Sequence, residues 1–273
     1  MAKDQRDWVT ATNHLWKAKE LTRSVNGVVL VSLAYACQAA GDTTNARLFA
    51  QLAEAAPDAN WDVFDRLGMF HLMADPRHRD LDGALEDFAS AVRMAPDEPL
   101  PHRYLGQVLL LKGRSAEAHK ELERSLLLRR SPNALAALGS AYFAETNMVM
   151  AERFFAEASR ADPSRYNFHI DAGLALRTDP KTRDEAIEHF TQALRQIDDA
   201  LSAGGEKALL RAFHGLCLAA LGNEKGARSD LELARKEAVD NFLVLAKVRD
   251  GYVVLGDKAR AAEIREIMRQ GGK

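Results

Sequence analysis

One helical hairpin returns along this chain at intervals close to 34 residues, and few folds admit that period. The clearest copy runs from Pro132 to Pro163, with Leu138-Gly139, Tyr142, Ala151, Phe155, Ala158 and Pro163 as its marks. Apolar residues at three- and four-residue spacing flank a polar Glu-Thr-Asn turn, the pattern of two amphipathic helices. The same register returns in Leu67-Gly68 with Ala84, Phe88 and Ala91, and in Leu105-Gly106 with Ala118, Leu122 and Ser125. It returns again in Ala172-Gly173 with Ala186, Phe190 and Ala193, and in Gly215 with Ala227, Leu231 and Ala234. Leu33-Ala34 with Ala46, Ala50 and Ala53 is an alanine version, and Val248, Tyr252, Gly256 and Ala261 form a degenerate last copy. A single hairpin cannot bury its apolar face, so copies stack and share a core.

The expected fold is all-α, a right-handed α-solenoid of stacked antiparallel helical hairpins. A single array over 1–273 is expected, with a leading helix at 4–23. Its repeats fall at approximately 26–57, 60–96, 99–131, 132–165, 166–203, 205–239 and 240–270. Gly41 suits a left-handed helix exit. Ser115 is placed to cap the second helix of the third repeat, and Thr182 with Glu185 reads as a capping box. The second helix of the fifth repeat is expected to run on to Leu201. The second repeat carries a polar insert of about four residues beyond that period between Ala74 and Asp82. The leading helix lacks a partner helix, so it reads as an N-terminal cap, or as an edge that docks a partner through Trp8 and Trp16. The charged last helix reads as the C-terminal cap, and 271–273 as a frayed tail.

Composition bounds the function. The net charge of −2 gives no support for nucleic acid or an anionic membrane surface as partner. The start lacks the apolar run of a signal peptide, and no run approaches the ~18 residues of a membrane span. Cys37 and Cys217 are too few and too distant for a disulfide framework. Both read as reduced core residues of a cytoplasmic protein.

No phosphate loop, nucleophile elbow, zinc-protease helix or CxxC pair is present. The histidines are scattered: His119 and His189 stand beside glutamates, and His71, His169 and His214 fall on first helices. His78 with Asp75 and Asp80 meets no ligand spacing, and Arg77 and Arg79 would repel a cation. The expectation is a protein without catalytic residues, metal or cofactor.

On Leu138-Gly139, Tyr142, Ala151, Phe155, Ala158 and Pro163, the chain resembles the tetratricopeptide repeat family over nearly its whole length. The resemblance implies that first helices line a concave groove in which partners bind as extended peptides or helices. Carried onto this sequence, it places Tyr35, Gln38, Asp62, Asp65, Arg66, Met69, Arg103, Tyr104 and Gln107 in that groove. Asn133, Ser140, Phe143, Asn167, Asp171 and Arg177 follow. Tyr and Arg are enriched at interfaces, and amides can hydrogen-bond an extended peptide whatever its sequence. Apolar members such as Met69 and Phe143, each taken alone, read first as packing between helices and only second as binding residues. The family's clamp for a C-terminal carboxylate is not expected, since Val31 and Tyr35 occupy its first Lys and Asn places. The function expected is a scaffold or adaptor for a protein or peptide partner. A self-associating module joined through the array ends, a homo-oligomer, is the alternative.

Overall fold

The computed structural model describes residues 26–73, 80–237 and 241–270. The leading helix with Trp8 and Trp16, the insert residues Asp75 and His78, and the 271–273 tail lie outside the described residues. Among the described residues there are fourteen α-helices and no strand, so the fold is all-α. None of these helices is long and apolar enough to cross a membrane. The chain divides into two compact units, Met1–Arg129 and Arg130–Lys273.

Unit 1 contains α1 (Gly27–Ala39), α2 (Thr43–Glu54), α3 (Trp61–Met73), α4 (Leu81–Met94), α5 (Pro99–Leu111) and α6 (Ser115–Leu128). Successive pairs form antiparallel hairpins. Leu30, Leu33, Phe49, Val63 and Leu67 fill one core cluster, and Phe88, Leu105, Val108 and Leu109 the next. In the α5–α6 hairpin the backbones approach closely, because a Cβ on Gly106 would stand 2.6 Å from Leu122. Ser125 is 2% exposed where an alanine would be usual. Its hydroxyl donates to the Pro99 carbonyl (2.7 Å), so the buried oxygen is satisfied.

Unit 2 contains α7 (Pro132–Ala144), α8 (Met148–Ala161), α9 (Tyr166–Leu176), α10 (Arg183–Ser202), α11 (Lys207–Ala220), α12 (Glu224–Glu237), α13 (Phe242–Val254) and α14 (Lys258–Gln270). Ile170, Leu176, Phe190, Leu210 and Cys217 share one cluster, and Leu231, Val244, Val248, Tyr252 and Ile264 another. The expected extension of α10 is present and ends at Ser202, with fully buried Ile197 anchoring the added length. Cys37 and Cys217 are both free and buried. Burial pushes both thiols up, Cys217 to about 12.

The turns explain where helices stop. Gly41 has φ 81°, and Asp42 N–H donates to the Cys37 carbonyl at 2.9 Å, a Schellman exit. Asp42 then caps α2 by accepting from Asn45 N–H (3.1 Å). Asn147, Asn223 and Asp257 cap their helices in the same register. The third hairpin differs from expectation. Ser115 is already the first helical residue, and the cap place belongs to Arg114, whose side chain instead pairs with Glu117 at 2.7 Å. Thr182 is the N-cap of α10 but makes no cap bond. Its hydroxyl donates backward to the Leu176 carbonyl (2.8 Å), so no capping box closes.

Candidate functional site

In unit 1 the helical period puts Asp62, Asp65, Arg66 and Met69 on one side of α3. Asp62 and Arg66 pair at 2.9 Å. The Tyr35 hydroxyl of α1 donates to the Arg66 carbonyl (3.2 Å), and its ring meets Phe70 edge-on at 5.5 Å. On α5 the Arg103 guanidinium lies 4.0 Å over the Tyr104 ring, and Tyr104 stacks on Phe88 at 5.3 Å. Asp65 sits among these groups, 9% exposed, and its Oδ1 has no hydrogen-bond partner. Burial pushes its carboxyl up to about 6, against the pull of Arg103. Burial, with the Asp65 charge second, pushes the Tyr35 hydroxyl up to about 12.

Met69 packs against the cluster around Phe88 and Leu105, and Gln107 is half-buried. Gln38 lines a different place, a cavity of about 310 Å³ that it shares with Arg47, Gln51, Glu54, Phe70 and His71.

In unit 2, Asn133 is exposed at the start of α7. The Ser140 hydroxyl donates to the Ala136 carbonyl of its own helix (2.9 Å). Phe143 is 38% exposed and tilts toward Phe155 at 6.4 Å. Asn167 and Asp171 lie one turn apart on α9. Asn167 Oδ1 is buried without a partner. Asp171 is partly buried, and burial pushes its carboxyl up to about 6, with Lys247 of α13 holding it down. Phe213 of α11 has its ring 5.3 Å from Tyr166 and 5.5 Å from Lys247 Nζ. Lys247 also lies 3.8 Å from Asp250. Arg177 leaves this group. It caps the end of α9 and lines a cavity of about 460 Å³ with Arg183 and the Ala219–Gly222 turn.

Sequence reasoning passed over Lys247 and Tyr166. The signal for Lys247 was available, since it stands one repeat period after Phe213 in the degenerate last hairpin.

Five of the described histidines tie helices of the scaffold together. His102 Nε2 lies 3.0 Å from the Pro96 carbonyl and Nδ1 2.6 Å from Glu121. His169 repeats the contact with Pro163 (3.2 Å) and meets His189 at 3.0 Å. Each ring joins its own hairpin to the end of the preceding one. His71 and His214 pair with Asp87 (2.7 Å) and Asp230 (2.6 Å) on the second helices of their hairpins. Among the described residues no group of three His, Cys, Asp or Glu side chains could hold a metal ion.

No family profile matches the chain. It is similar in sequence to DnaJ homolog subfamily C member 3 of Rattus norvegicus, Mus musculus and Homo sapiens, at 26% identity over 195 residues. That stretch is 68% of this chain and 39% of those relatives. In structure it is similar to yeast Tom70, with a TM-score of 0.61 at 15% identity, over 98% of this chain and 56% of that one. It is also similar to a chain of the APC/C hetero-tetramer Cut9–Hcn1, with a TM-score of 0.61 at 16% identity, over 92% of this chain and 46% of that one. At such identities the likeness is one of fold.

Proposed function

We propose that this chain, which has the tetratricopeptide-repeat fold, is a non-enzymatic scaffold or adaptor that holds a partner segment against the faces of its first helices. Proteins of this fold are in general protein-interaction scaffolds, and the Cut9–Hcn1 neighbour is itself a protein assembly.

One observation carries the reading. At positions expected to face a partner, Asp65 and Asn167 each keep a buried oxygen without a hydrogen-bond partner. An unmet buried polar group costs on the order of 1–3 kcal/mol. Most such groups in folded proteins are paired. A partner's main-chain and side-chain donors would supply what these oxygens lack. Arg103 and Tyr104 beside Asp65 add residue types that anchor interfaces.

The test is site-specific photocrosslinking in native extract, with the crosslinker placed in turn at Gln107, Ser140 and Glu188. Gln107 and Ser140 lie on first helices, and Glu188 lies exposed on the second helix α10. A protein captured from the first two positions and not the third supports the scaffold reading. Capture from Glu188 alone moves the working surface to the second helices and overturns it.

A further inference from the structure

We infer that the α9–α11–α13 face of unit 2 takes an arginine side chain of an extended partner segment at Asp171, with Asn167 holding the partner's main chain beside it. The inference rests on the scaffold reading and names the chemistry of its partner.

Asp171, Phe213 and Lys247 form a row across three successive first helices. Lys247 Nζ stands 5.5 Å from the Phe213 ring, and its charge reaches Asp171. The row carries a negative group that Lys247 acts on only at a distance. Asp171 makes no hydrogen bond and no ion pair among the described residues, whereas Lys247 lies 3.8 Å from Asp250. Burial opposes the charge on Asp171 more than Lys247 supports it, and the carboxyl is pushed up to about 6. At neutral pH it is an ionised acceptor in want of a cation with donors.

Two features select arginine among the cations. A carboxylate accepts a guanidinium through two parallel N–H bonds. Tyr166, half-buried with its ring 5.3 Å from that of the buried Phe213, offers an aromatic surface on which a planar guanidinium stacks. Asn167 sets the direction of the bound chain. Its amide has one donor group and one acceptor, both without a partner among the described residues. That is the complement of one peptide unit of an extended strand. One helical turn separates it from Asp171, so main chain at one and side chain at the other are within a single residue's reach.

The experiment offers the whole chain four fluorescent pools of short peptides with randomised flanks. Their central residue is arginine, lysine, citrulline or glutamate, and retention is measured by anisotropy. The arginine pool is expected to bind about tenfold more tightly than the isosteric citrulline pool, as a charge-assisted bidentate pair requires. Asp171→Asn, which keeps the shape, is expected to erase that preference while leaving the weaker binding common to all pools. Asn167→Ala is expected to weaken every pool alike, and Lys247→Met to strengthen the arginine pool by removing a competing cation. A lysine pool held as well as the arginine pool overturns the choice of guanidinium. Equal retention of all four pools, or preference for glutamate, overturns the inference and leaves the scaffold standing. Retention of none at peptide concentrations up to the millimolar range speaks against both.

Discussion

Gly139 of α7 lies so close to the ring of Phe155 in α8 that a Cβ on the glycine would stand 2.7 Å from Cδ1 of the ring. The same contact recurs between Gly173 and Phe190 and between Gly215 and Leu231. The α1–α2 hairpin carries Ala34 and Ala50 in those places, the small residue having gained a methyl and the large one having lost its ring. Gly139→Ala therefore sets an overpacking cost of about 1–3 kcal/mol against a helix-propensity gain of about 1. The expected outcome in urea unfolding is a net destabilisation of about 1 kcal/mol. In a Phe155→Leu background the same alanine should cost less, and an unchanged cost would show that the ring is not the obstacle.

Thr146 occupies the turn position that Gly41, Gly113, Gly222 and Gly256 hold elsewhere, at φ 60°. A β-branched residue in that region costs roughly 1–2 kcal/mol. Thr146→Gly should stabilise the protein by about 1 kcal/mol, which thermal unfolding would register as a higher midpoint. The converse, Gly222→Ala, isolates the backbone term, because nothing lies within 4 Å of the Cβ it would add. A loss of about 1 kcal/mol is expected there from strain alone.

The hairpins were legible because their marks are local. Gly-against-ring pairs sit at a fixed offset, and apolar spacing reports the buried face whatever the neighbours do. The caps show where such reasoning stops. Ser115 and Thr182 are the residue types that cap helices, yet one lies a place too far along and the other turns back to the Leu176 carbonyl. Register across the whole set, with Asp42, Asn147, Asn223 and Asp257 directly after the left-handed residue, pointed to position 114. The candidate surface was legible only as a list of offsets. Whether Asp171 meets Phe213 and Lys247, and whether Arg177 joins them, depends on how three helices stack and on where α9 ends.

His214 predicts a pH dependence of stability. Asp230 at 2.6 Å raises the ring above its ordinary value by hydrogen bonding first, against the opposing effect of burial. Asp198 lies 3.4 Å from the other nitrogen. A folded value above the unfolded one of about 6.5 means that the contribution is complete below that pH. It is lost as pH rises through the folded value. A charged hydrogen bond of this kind is worth on the order of 1.5–3 kcal/mol. Urea midpoints of the wild type should therefore fall from pH 6 to pH 8 more steeply than those of His214→Gln, and parallel slopes would remove the pair from the account.

Asp65 and Asp171 predict a conflict between stability and binding. Each carboxyl is raised from an ordinary value of 3.8 to about 6, in both cases chiefly by burial. Raised carboxyls favour the folded state at low pH, and that advantage is withdrawn as pH climbs from the unfolded value through the folded one. At pH 7 both are ionised and both cost stability, on the order of 1–3 kcal/mol each. Asp65→Asn and Asp171→Asn should accordingly raise the urea midpoint at pH 7 and change it little at pH 3. Partner binding should move the opposite way. It should weaken in each variant at pH 7, and in the wild type as pH falls through about 6, where protonation removes the acceptor. Lys247 is the charged group acting on Asp171 from α13. A variant that gains stability while keeping full partner affinity would place its acid outside the working surface.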